Sequence, residues 1–408
     1  MAFLPIARWF TLRASASARH TTSKKKNLTF AAAASAMPNP MRTKNDDVKL
    51  ALGLVGPGLV GKALLDQMRD YLPVLRETRG IDVSVLGIAN SRKMLLSDRA
   101  IDLSNWQQVF NEATHPSDLV GFRDHLLTCK DPVVPVIVDC SASDHVSDFY
   151  KIWMESGVHV VTANKKVNSG PLERYQAVRS LQKDRKVHYF YETTVGAGLP
   201  VISTIKGLVD SGDRIASVEG VFSGTLSYLF NNFKAGARFS EIVAEAKASG
   251  YTEPDPRDDL SGTDVARKVA NLARESGLEL ELSDIPVRSL VPKELESCET
   301  SEEFMRRLPE FDGEMTRLQE EAARAGEVLR YVGSVDVAAG KGSVELRNFP
   351  ASHPFAQLGG TDNIVLIRTK RYDPQPLVVT GPGAGADVTA GGVFADLVKL
   401  CAHFGAPS

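Results

Sequence analysis

One short segment near residue 50 constrains the fold more than any other part of the sequence. The segment KLALGLVGPGLVGKALLDQM has a strand-like apolar run, a glycine-rich turn and apolar residues at helical spacing. Its glycines follow the pattern G-x-G-x-x-G, which lets the backbone approach a pyrophosphate at the N-terminus of the helix. The segment therefore predicts a dinucleotide-binding turn. The residues of this turn expected to contact the cofactor are Gly56, Gly58, Leu59, Val60 and Gly61.

Further strand-like segments alternate with helical ones as far as about residue 190. Two of them are VPVIVDC and HVVTANK, which end near Ser141 and Lys165. This alternation predicts a parallel, doubly wound sheet of the Rossmann type, whose ligands bind at the C-terminal ends of the strands. Ser141 and Lys165 are therefore candidate cofactor contacts. A lysine at a strand end is often only solvated, so position alone leaves the role of Lys165 open.

The end of the second strand bears on which dinucleotide is bound. After IDVSVLGIA the chain continues with Asn90, Ser91, Arg92 and Lys93, where an NAD-binding domain carries an Asp or Glu for the ribose. The missing acid and the two bases favour a 2′-phosphate. We therefore expect NADP(H), with NAD(H) as the alternative, in contact with Asn90, Ser91 and Arg92. A solvated basic turn is the competing interpretation.

The pattern changes in the second half of the chain. Longer helical stretches mix with strand-like segments over 191–378, which predicts a separate, mixed α/β domain. The last segment contains a glycine-rich turn and an apolar helix, and we expect it to return to the first domain. The prediction is a discontinuous dinucleotide-binding domain at 47–190 and 379–408.

Charge is unevenly distributed along the 408 residues. The first 45 residues contain Lys and Arg but no acid before Asp46. This composition is typical of an organelle transit peptide, with a disordered leader as the alternative for 1–46, and its apolar runs are too short to span a membrane. The formal net charge is −2, with no long basic run elsewhere. We therefore expect neither a nucleic-acid nor a membrane partner.

Acidic residues crowd the segment GYTEPDPRDDLSGTDVARK at 250–268. Its two prolines predict an extended turn over 253–257. A helix is then expected to start near Asp258 to Ser261, where acids meet the positive end of the helix dipole. The buried stripe expected for this helix is Val265, Ala266, Val269, Leu272 and Ala273.

Asp264 and Lys268 share a different face of this helix because they are four residues apart. One interpretation is a solvated ion pair worth only ~0.3–0.5 kcal/mol. The other is a site in which acids hold an ammonium group beside a proton donor. A metal site is the weaker alternative, since the spacing does not match an EF-hand loop.

Six segments together resemble the homoserine dehydrogenase family, in the same order and over nearly the whole chain after residue 47. They are GPGLVG, TANKK, YETTVGAGLP, FSGTLSY, GYTEPDPRDDLSGTDVARK and GPGAGADVTAGGVFADL. The dehydrogenase portion of bifunctional aspartokinase–homoserine dehydrogenases is the most similar. The resemblance implies an oxidoreductase that interconverts L-aspartate 4-semialdehyde and L-homoserine with NAD(P)H, a step toward threonine and methionine.

The resemblance also implies roles for individual residues. Lys268 would be the acid/base that protonates the new alkoxide, and Lys165 would assist from the other side of the reacting carbon. The implied substrate contacts are Glu253, Asp264, Asp259, Thr225 and Tyr251. The further cofactor contacts are Gly250, Gly383 and Gly385. The chemistry is consistent with this, because an alkoxide formed by hydride transfer needs a positive group and a proton within reach.

Three further expectations come from the resemblance. A monovalent cation, generally sodium, would bind at Glu192 and the backbone carbonyls of Val195, Ala197 and Leu199. The chain would form a homodimer through its second domain. Its location would be the chloroplast, with the mitochondrion or the cytoplasm as alternatives.

Two rival functions use the same sequence features. An acylating semialdehyde dehydrogenase would need a cleft thiolate, for which Cys140 is the candidate. A sensor that binds NADPH without catalysis would not need both lysines. Cys129, Cys140, Cys298 and Cys401 lack the spacing of a disulfide or zinc motif, so we expect free, buried thiols.

Overall fold

The structure is a computed structural model that describes residues 47–128 and 133–407. The predicted leader at 1–46 and Cys129 lie outside this part of the chain. Among the described residues, no helix is both long and apolar enough to cross a membrane.

The first half of the chain alternates strands and helices, as its sequence predicts. Its elements, in chain order, are β1 (Val48–Val55), α1 (Leu59–Arg79), β2 (Ile81–Ala89), β3 (Lys93–Leu96), α2 (Trp106–Glu112), β4 (His115–Pro116), α3 (Leu119–Leu127), β5 (Val134–Asp139), α4 (Asp144–Asp148), α5 (Tyr150–Glu155), β6 (His159–Thr162), α6 (Lys166–Ser169), α7 (Leu172–Arg185) and β7 (Tyr189–Phe190).

These strands form one sheet in the order β4-β3-β2-β1-β5-β6-β7. The run from β2 to β7 is parallel, and the short edge strands β3 and β4 are antiparallel. β1 lies in the middle and is buried along almost its whole length, as expected for a strand covered on both faces. The predicted Rossmann-type sheet is confirmed.

The second half combines longer helices with an antiparallel sheet. Its elements are α8 (Ile202–Asp210), β8 (Ile215–Val221), α9 (Gly224–Asn232), α10 (Phe239–Ala248), α11 (Pro256–Leu260), α12 (Thr263–Glu275), α13 (Ser301–Arg307), α14 (Asp312–Arg324), β9 (Glu327–Asp336), β10 (Lys341–Pro350), β11 (Asp362–Thr369), β12 (Leu377–Pro382) and α15 (Ala386–His403). Single turns of 3-10 helix lie at Glu192–Thr194, Leu282–Asp284, Lys293–Leu295 and Leu308–Phe311.

The second sheet has the order β10-β9-β8-β11-β12, and α12 packs on β9 and β10. α12 is amphipathic, and every member of the stripe predicted for it is buried. The single helix predicted to start near Asp258 to Ser261 is in fact two helices: α11 begins at Pro256 with Asp255 as its N-cap, and α12, which carries the stripe, begins at Thr263. A proline lacks the N–H that the first helical turn leaves unpaired, so it suits this position. Gly262, at φ 73°, then separates α11 from α12.

The chain returns to the first sheet only after β12. The predicted boundary at 378/379 falls inside β12, and the whole of that strand pairs with β11 in the second sheet. α15 packs against α1, as the predicted return of the C-terminal segment requires. The exact domain limits stay a prediction, but a division by sheets would put this crossing after Pro382.

Candidate active site

Two cavities open at the C-terminal ends of the parallel strands. The first encloses about 1020 Å³ beside the glycine-rich turn, and the second about 830 Å³ between the two sheets. Ser141, which follows β5, lines both. The position agrees with the rule that ligands of an open parallel sheet bind at these strand ends.

Each glycine of the turn meets a different requirement. Gly56 has φ 85°, and a Cβ there would lie 2.7 Å from the amide nitrogen of Ser141. A Cβ on Gly61 would lie 2.3 Å from the carbonyl oxygen of Gly56, so Gly61 allows the helix to pack on the turn. Gly58 faces open space. As the N-cap of α1 it offers no capping side chain, and the first turn has no acid, which leaves the helix amides available to an anion.

The turn after β2 holds its two bases differently. The Asn90 side chain accepts hydrogen bonds from the backbone N–H groups of Arg92 and Lys93, both at 2.9 Å. The ammonium group of Lys93 donates to the carbonyl oxygen of Asn111 at 2.7 Å and lies over the ring of Phe110. The side chain of Arg92 is exposed. Of the two bases, Lys93 is therefore tied to α2, and Arg92 is the more accessible to a phosphate.

Several residues of the first cavity were missed from the sequence. They are Trp106, Gln107, Phe110 and Asn111 from α2, and Ser143, His145 and Phe149 around α4. Trp106 and Phe110 are spaced as one apolar face of a helix, which indicates core packing and gives no sign of a ligand. Both are largely buried, so they serve as core and cavity wall together.

A buried carboxylate fixes the strand ends between the cavities. Asp139, at the end of β5, accepts hydrogen bonds from the Tyr150 hydroxyl at 2.6 Å, the Asn164 amide at 2.9 Å and the backbone N–H of Ser141 at 2.7 Å. Burial raises the pKa of Asp139, and these hydrogen bonds oppose the shift. The network ties the segments before Ser141 and Lys165 together.

The second cavity brings the predicted catalytic and substrate residues together. Predicted residues that line it are Val60, Ser141, Lys165, Ala197, Thr225, Gly250, Tyr251, Glu253, Asp259, Asp264, Lys268, Gly383 and Gly385. In the first cavity, the predicted residues are Gly56, Gly58, Asn90, Ser91 and Ser141. Leu59, Gly61 and Arg92 line neither, and Leu59 is 82% exposed at the start of α1.

Asp264 stands between two ammonium groups at the start of α12. Its carboxylate lies 2.8 Å from the Nζ of Lys268 and 3.4 Å from the Nζ of Lys165. Lys268 also donates to the carbonyl oxygen of Phe222 at 2.6 Å and is only 7% exposed. The ion pair expected from the spacing is present, but its lysine is buried while its carboxylate is about half exposed, so it is not a pair on a fully solvated helix face.

The charges of this trio affect the pKa values of Lys268 and Asp264. Burial lowers the pKa of the Lys268 ammonium group, and the Asp264 carboxylate opposes part of this effect. Burial also favours the neutral form of Asp264, but the charges of Lys268 and Lys165 outweigh it and hold the pKa of Asp264 below its ordinary value. The site thus holds a carboxylate that stays ionised beside an acidified lysine.

The acidic wall of the cavity lies on the α11 side. The backbone N–H of Glu253 donates to the Asp259 carboxylate at 2.8 Å. Burial raises the pKa of Glu253, and the Asp259 charge raises it further. Burial raises the pKa of Asp259 as well, and the hydrogen bond from the backbone N–H of Glu253 opposes it. These carboxyls repel each other, so a bound ammonium group would relieve the repulsion.

Tyr251 and Thr225 form the rim of this wall. The Thr225 hydroxyl donates to the carbonyl oxygen of Tyr251 at 2.7 Å, which fixes the chain just before the acids. The ring of Tyr251 lies 4.6 Å from that of Tyr228 and stays 46% exposed. Gly250, at φ 73°, makes the turn from α10 into this segment.

The loop predicted to hold a cation has unpaired carbonyl oxygens. Among the described residues, no donor bonds to the carbonyl oxygens of Val195 or Ala197, although both residues are buried. Ala197 also has φ 52°, a left-handed conformation that is uncommon for a residue with a side chain. The carbonyl of Leu199 accepts from Val201 N–H at 2.8 Å. The main-chain part of the predicted site therefore fits a cation.

The carboxylate of Glu192 has other partners. It accepts from the backbone N–H groups of Ile202 and Ser203 at the start of α8, and Lys399 lies 3.4 Å away. It therefore acts as a helix N-terminal anion. Within the described chain, no cluster of three or more His, Cys, Asp or Glu residues could hold a metal ion.

The three cysteines in the described part of the chain offer no thiolate poised in the cleft. Cys140, Cys298 and Cys401 are free thiols. Cys140 lines the second cavity, but burial raises the pKa of its thiol well above the ordinary value, and the nearby Asp139 raises it further. A thiol in this state is not poised as a thiolate, which argues against the acylating alternative.

A Rossmann-type sheet, an open glycine-rich turn and a cleft at the strand ends define an α/β protein of the dinucleotide-binding class. A family model described as "Homoserine dehydrogenase, NAD binding domain" matches residues 56–192, and one described as "Homoserine dehydrogenase" matches 200–398. The chain belongs to the homoserine dehydrogenase family.

Known proteins support this membership. The chain is 57% identical to a maize chloroplastic bifunctional aspartokinase/homoserine dehydrogenase over 88% of its own length, but spans only 39% of that relative. It is 42% identical to homoserine dehydrogenase of Schizosaccharomyces pombe, covering 86% of this chain and 94% of that one. A hyperthermophilic archaeal homoserine dehydrogenase in complex with NADPH shares the fold, with a TM-score of 0.65 at 23% identity, over 88% of this chain and 99% of that one.

Proposed function

We propose that the protein is a homoserine dehydrogenase, which reversibly reduces L-aspartate 4-semialdehyde to L-homoserine with NAD(P)H. The observation that carries the proposal is the placement of Lys165 and Lys268 on either side of Asp264, in the cleft at the strand ends. One lysine comes from the end of β6 and the other from α12. Ammonium groups from both halves of the chain thus face one space.

Lys268 is the acid/base of the proposed reaction. The aldehyde oxygen becomes an alkoxide when the carbon is reduced, and it then needs a proton within hydrogen-bond distance. Burial lowers the pKa of Lys268, so its ammonium group releases a proton more readily than a solvated lysine does. Lys165 places a second ammonium group on the same cavity, near the position of that oxygen. Asp264 holds the two ammonium groups together despite their mutual repulsion.

The acidic wall binds the other end of the substrate. Homoserine and aspartate semialdehyde both carry an α-ammonium group, and Glu253 and Asp259 are carboxyls whose pKa values are raised by burial. A bound ammonium group would stabilise their ionised forms. Thr225 and Tyr251 would close the rim of the same pocket.

The cofactor is proposed to be NADP(H), with NAD(H) as the alternative. The turn of Gly56, Gly58 and Gly61 and the amides of α1 would bind the pyrophosphate, with the adenosine end toward Asn90 and Ser91. Arg92 is the accessible base for a 2′-phosphate. The bound nicotinamide supplies the hydride, so no protein nucleophile is needed. The NADPH complex of the archaeal protein supports the choice of this dinucleotide.

A monovalent cation, sodium in the first instance, is proposed at the carbonyls of Val195, Ala197 and Leu199. The proposal is supported by the carbonyl oxygens of Val195 and Ala197, two buried residues, which accept no hydrogen bond within the described chain. Glu192 would contribute its negative charge from the start of α8. No chemical step depends on this ion.

The homodimer and the chloroplast location are also proposals. The plant relatives are named chloroplastic, and the acid-free composition of 1–45 fits a transit peptide. Light scattering on the purified chain tests the dimer, and a fluorescent fusion of 1–46 tests the location.

The decisive test is turnover with and without Lys268. The parent protein with homoserine and NADP⁺ is expected to produce NADPH, whereas Lys268→Ala should lose roughly 10²–10⁴-fold in kcat. NADPH affinity should stay within about threefold of the parent, since Lys268 is not among the predicted cofactor contacts. Arg267→Ala is the matched control, because Arg267 is the adjacent residue of α12 and does not line either cavity.

The outcomes separate the alternatives. No NADPH from the parent enzyme, with tight NADPH binding retained, would favour a sensor. A phosphate-dependent rate with aspartate semialdehyde and NADP⁺ would favour acyl transfer. Parent-like activity of Lys268→Ala would remove the lysine from the acid/base role.

A further inference from the structure

A buried arginine joins the helix of Lys268 to the segment that follows Lys165. Arg274 is the penultimate residue of α12 and is only 6% exposed. Its guanidinium donates to the carbonyl oxygens of Asn168 and Gly170, both at 2.8 Å. These acceptors lie at the end of α6, which begins directly after Lys165.

The guanidinium of Arg274 also bonds to groups in the second half of the chain. It donates to the carbonyl oxygen of Leu280 at 2.9 Å and lies 3.4 Å from the Glu281 carboxylate. Burial lowers the pKa of Arg274, and Glu281 opposes the shift. Planar donors in a fixed fork suit a set of carbonyls at fixed positions, which a lysine cannot match. Arg274 therefore spans the two halves with directed bonds.

Both catalytic candidates, Lys165 and Lys268, are only a few residues from this junction along the chain. Lys268 is six residues before Arg274 on the same rigid helix. The carbonyl oxygen of Lys165 accepts the Ser169 N–H at 2.9 Å, which makes Lys165 part of the turn whose end Arg274 holds. A shift of α6 relative to α12 would change the separation of the two ammonium groups directly.

We propose that Arg274 is a positioning residue that sets the separation of Lys165 and Lys268 across Asp264. The inference rests on the proposed function for its kinetic consequence. Glu275 adds to the same junction, since it accepts from the Tyr191 hydroxyl at 2.6 Å. Of Arg274 and Glu275, only Arg274 hydrogen-bonds to the α6 segment itself.

The chain contains a matched control in Arg330. It is 5% exposed, burial lowers its pKa, and its guanidinium donates to the carbonyl oxygens of Phe355, Phe230 and Ala356. All of these acceptors belong to the second half of the chain. Arg330 is thus as buried as Arg274, and its guanidinium likewise donates to main-chain carbonyl oxygens. It does not bond to the segment that follows Lys165.

The experiment compares Arg274→Lys with Arg330→Lys in the full chain. Both substitutions are expected to lower Tm, because each leaves buried carbonyls without donors. Only Arg274→Lys should lower kcat, by about tenfold or more, while the Kd for NADPH changes less than about threefold. Arg274→Gln, which keeps donors but loses the charge, is the second variant if Arg274→Lys does not fold.

The pH profile gives a readout that simple loss of stability would not move. The charge of Lys165 lowers the pKa of Lys268, so a larger separation should raise that pKa and shift the kcat limb of Lys268 upward. A crystal structure of the variant should show the contact between Lys165 Nζ and Asp264 Oδ1, 3.4 Å in the parent, lengthened beyond the ion-pair limit of about 4 Å.

Equal kcat and pH profiles for the Arg274 and Arg330 variants would overturn the inference, as would an unchanged contact between Lys165 and Asp264. Failure of the proposed function looks different. The parent protein itself would then not reduce NADP⁺ with homoserine, and the crystallographic distance would still decide whether Arg274 positions the lysines.

Discussion

Acid should destabilise this fold through one buried histidine, His159. It begins β6 and is only 5% exposed. Its Nδ1 accepts the backbone N–H of His188 at 2.9 Å, so that nitrogen must be unprotonated. Burial lowers the pKa of His159 to about 4, and the charges of His188 and His403 contribute to the same shift.

The size and sign of the effect follow from linkage. The ordinary pKa of 6.5 and the folded value of about 4 differ by about 2.5, which at about 1.36 kcal/mol each is roughly 3 kcal/mol. Above pH 6.5 the imidazole is neutral in both states and has no effect. As pH falls from 6.5 to about 4, the unfolded chain binds the proton first, so the free energy of unfolding decreases and the loss is complete below pH 4.

Urea unfolding at several pH values between 7.5 and 4 measures this loss. His159→Asn keeps an acceptor for the His188 N–H but does not titrate, so its stability should fall by roughly 3 kcal/mol less than that of the parent over the same range. His115→Asn, at an exposed histidine in β4, is the control and should follow the parent. Equal losses for the parent and His159→Asn would refute the reasoning.

Two further predictions concern the cofactor. Gly56→Ala should weaken NADPH binding by at least about tenfold and lower Tm, because the new Cβ would lie 2.7 Å from the Ser141 backbone in a φ region that disfavours side chains. NADPH fluorescence titration and thermal unfolding measure the two effects. Parent-like binding would contradict the steric argument. Arg92→Ala should raise the Kd for NADPH by roughly tenfold and leave that for NADH unchanged, since a charged hydrogen bond to the 2′-phosphate is worth about 1.5–3 kcal/mol; Lys93→Ala is the comparison, and equal loss for both dinucleotides would place Arg92 elsewhere.

The elements that sequence predicted well have local signals. The glycine turn has a fixed spacing of glycines. The strands and the stripe of α12 are marked by apolar residues in the pattern of their secondary structure, and burial follows that pattern. The start of α11 was missed although its signal was local as well. Asp255 and Pro256 form an N-cap and first turn, and the two prolines of the segment were interpreted only as a barrier to helix.

The parts that sequence could not supply are long-range. Arg274 reads as one more charged residue of an amphipathic helix, and its acceptors lie more than a hundred residues earlier in the chain. Asp139 likewise reads as the end of a strand until Tyr150 and Asn164 are seen to donate to it. Backbone carbonyls are present at every residue, so the sequence holds no mark of which ones a buried side chain will reach.

The charged residues at the two ends of α12 have different roles. At its first turn, Asp264 lies between two ammonium groups, and its carboxylate opposes the lowering of the pKa of Lys268 by burial. At its last turn, Arg274 ties the helix to the other half of the chain. A lysine acidified by burial is useful as a proton donor only if its distance to the reacting oxygen is fixed. The two charged ends of α12 therefore depend on each other: the second holds in place the geometry that the first requires.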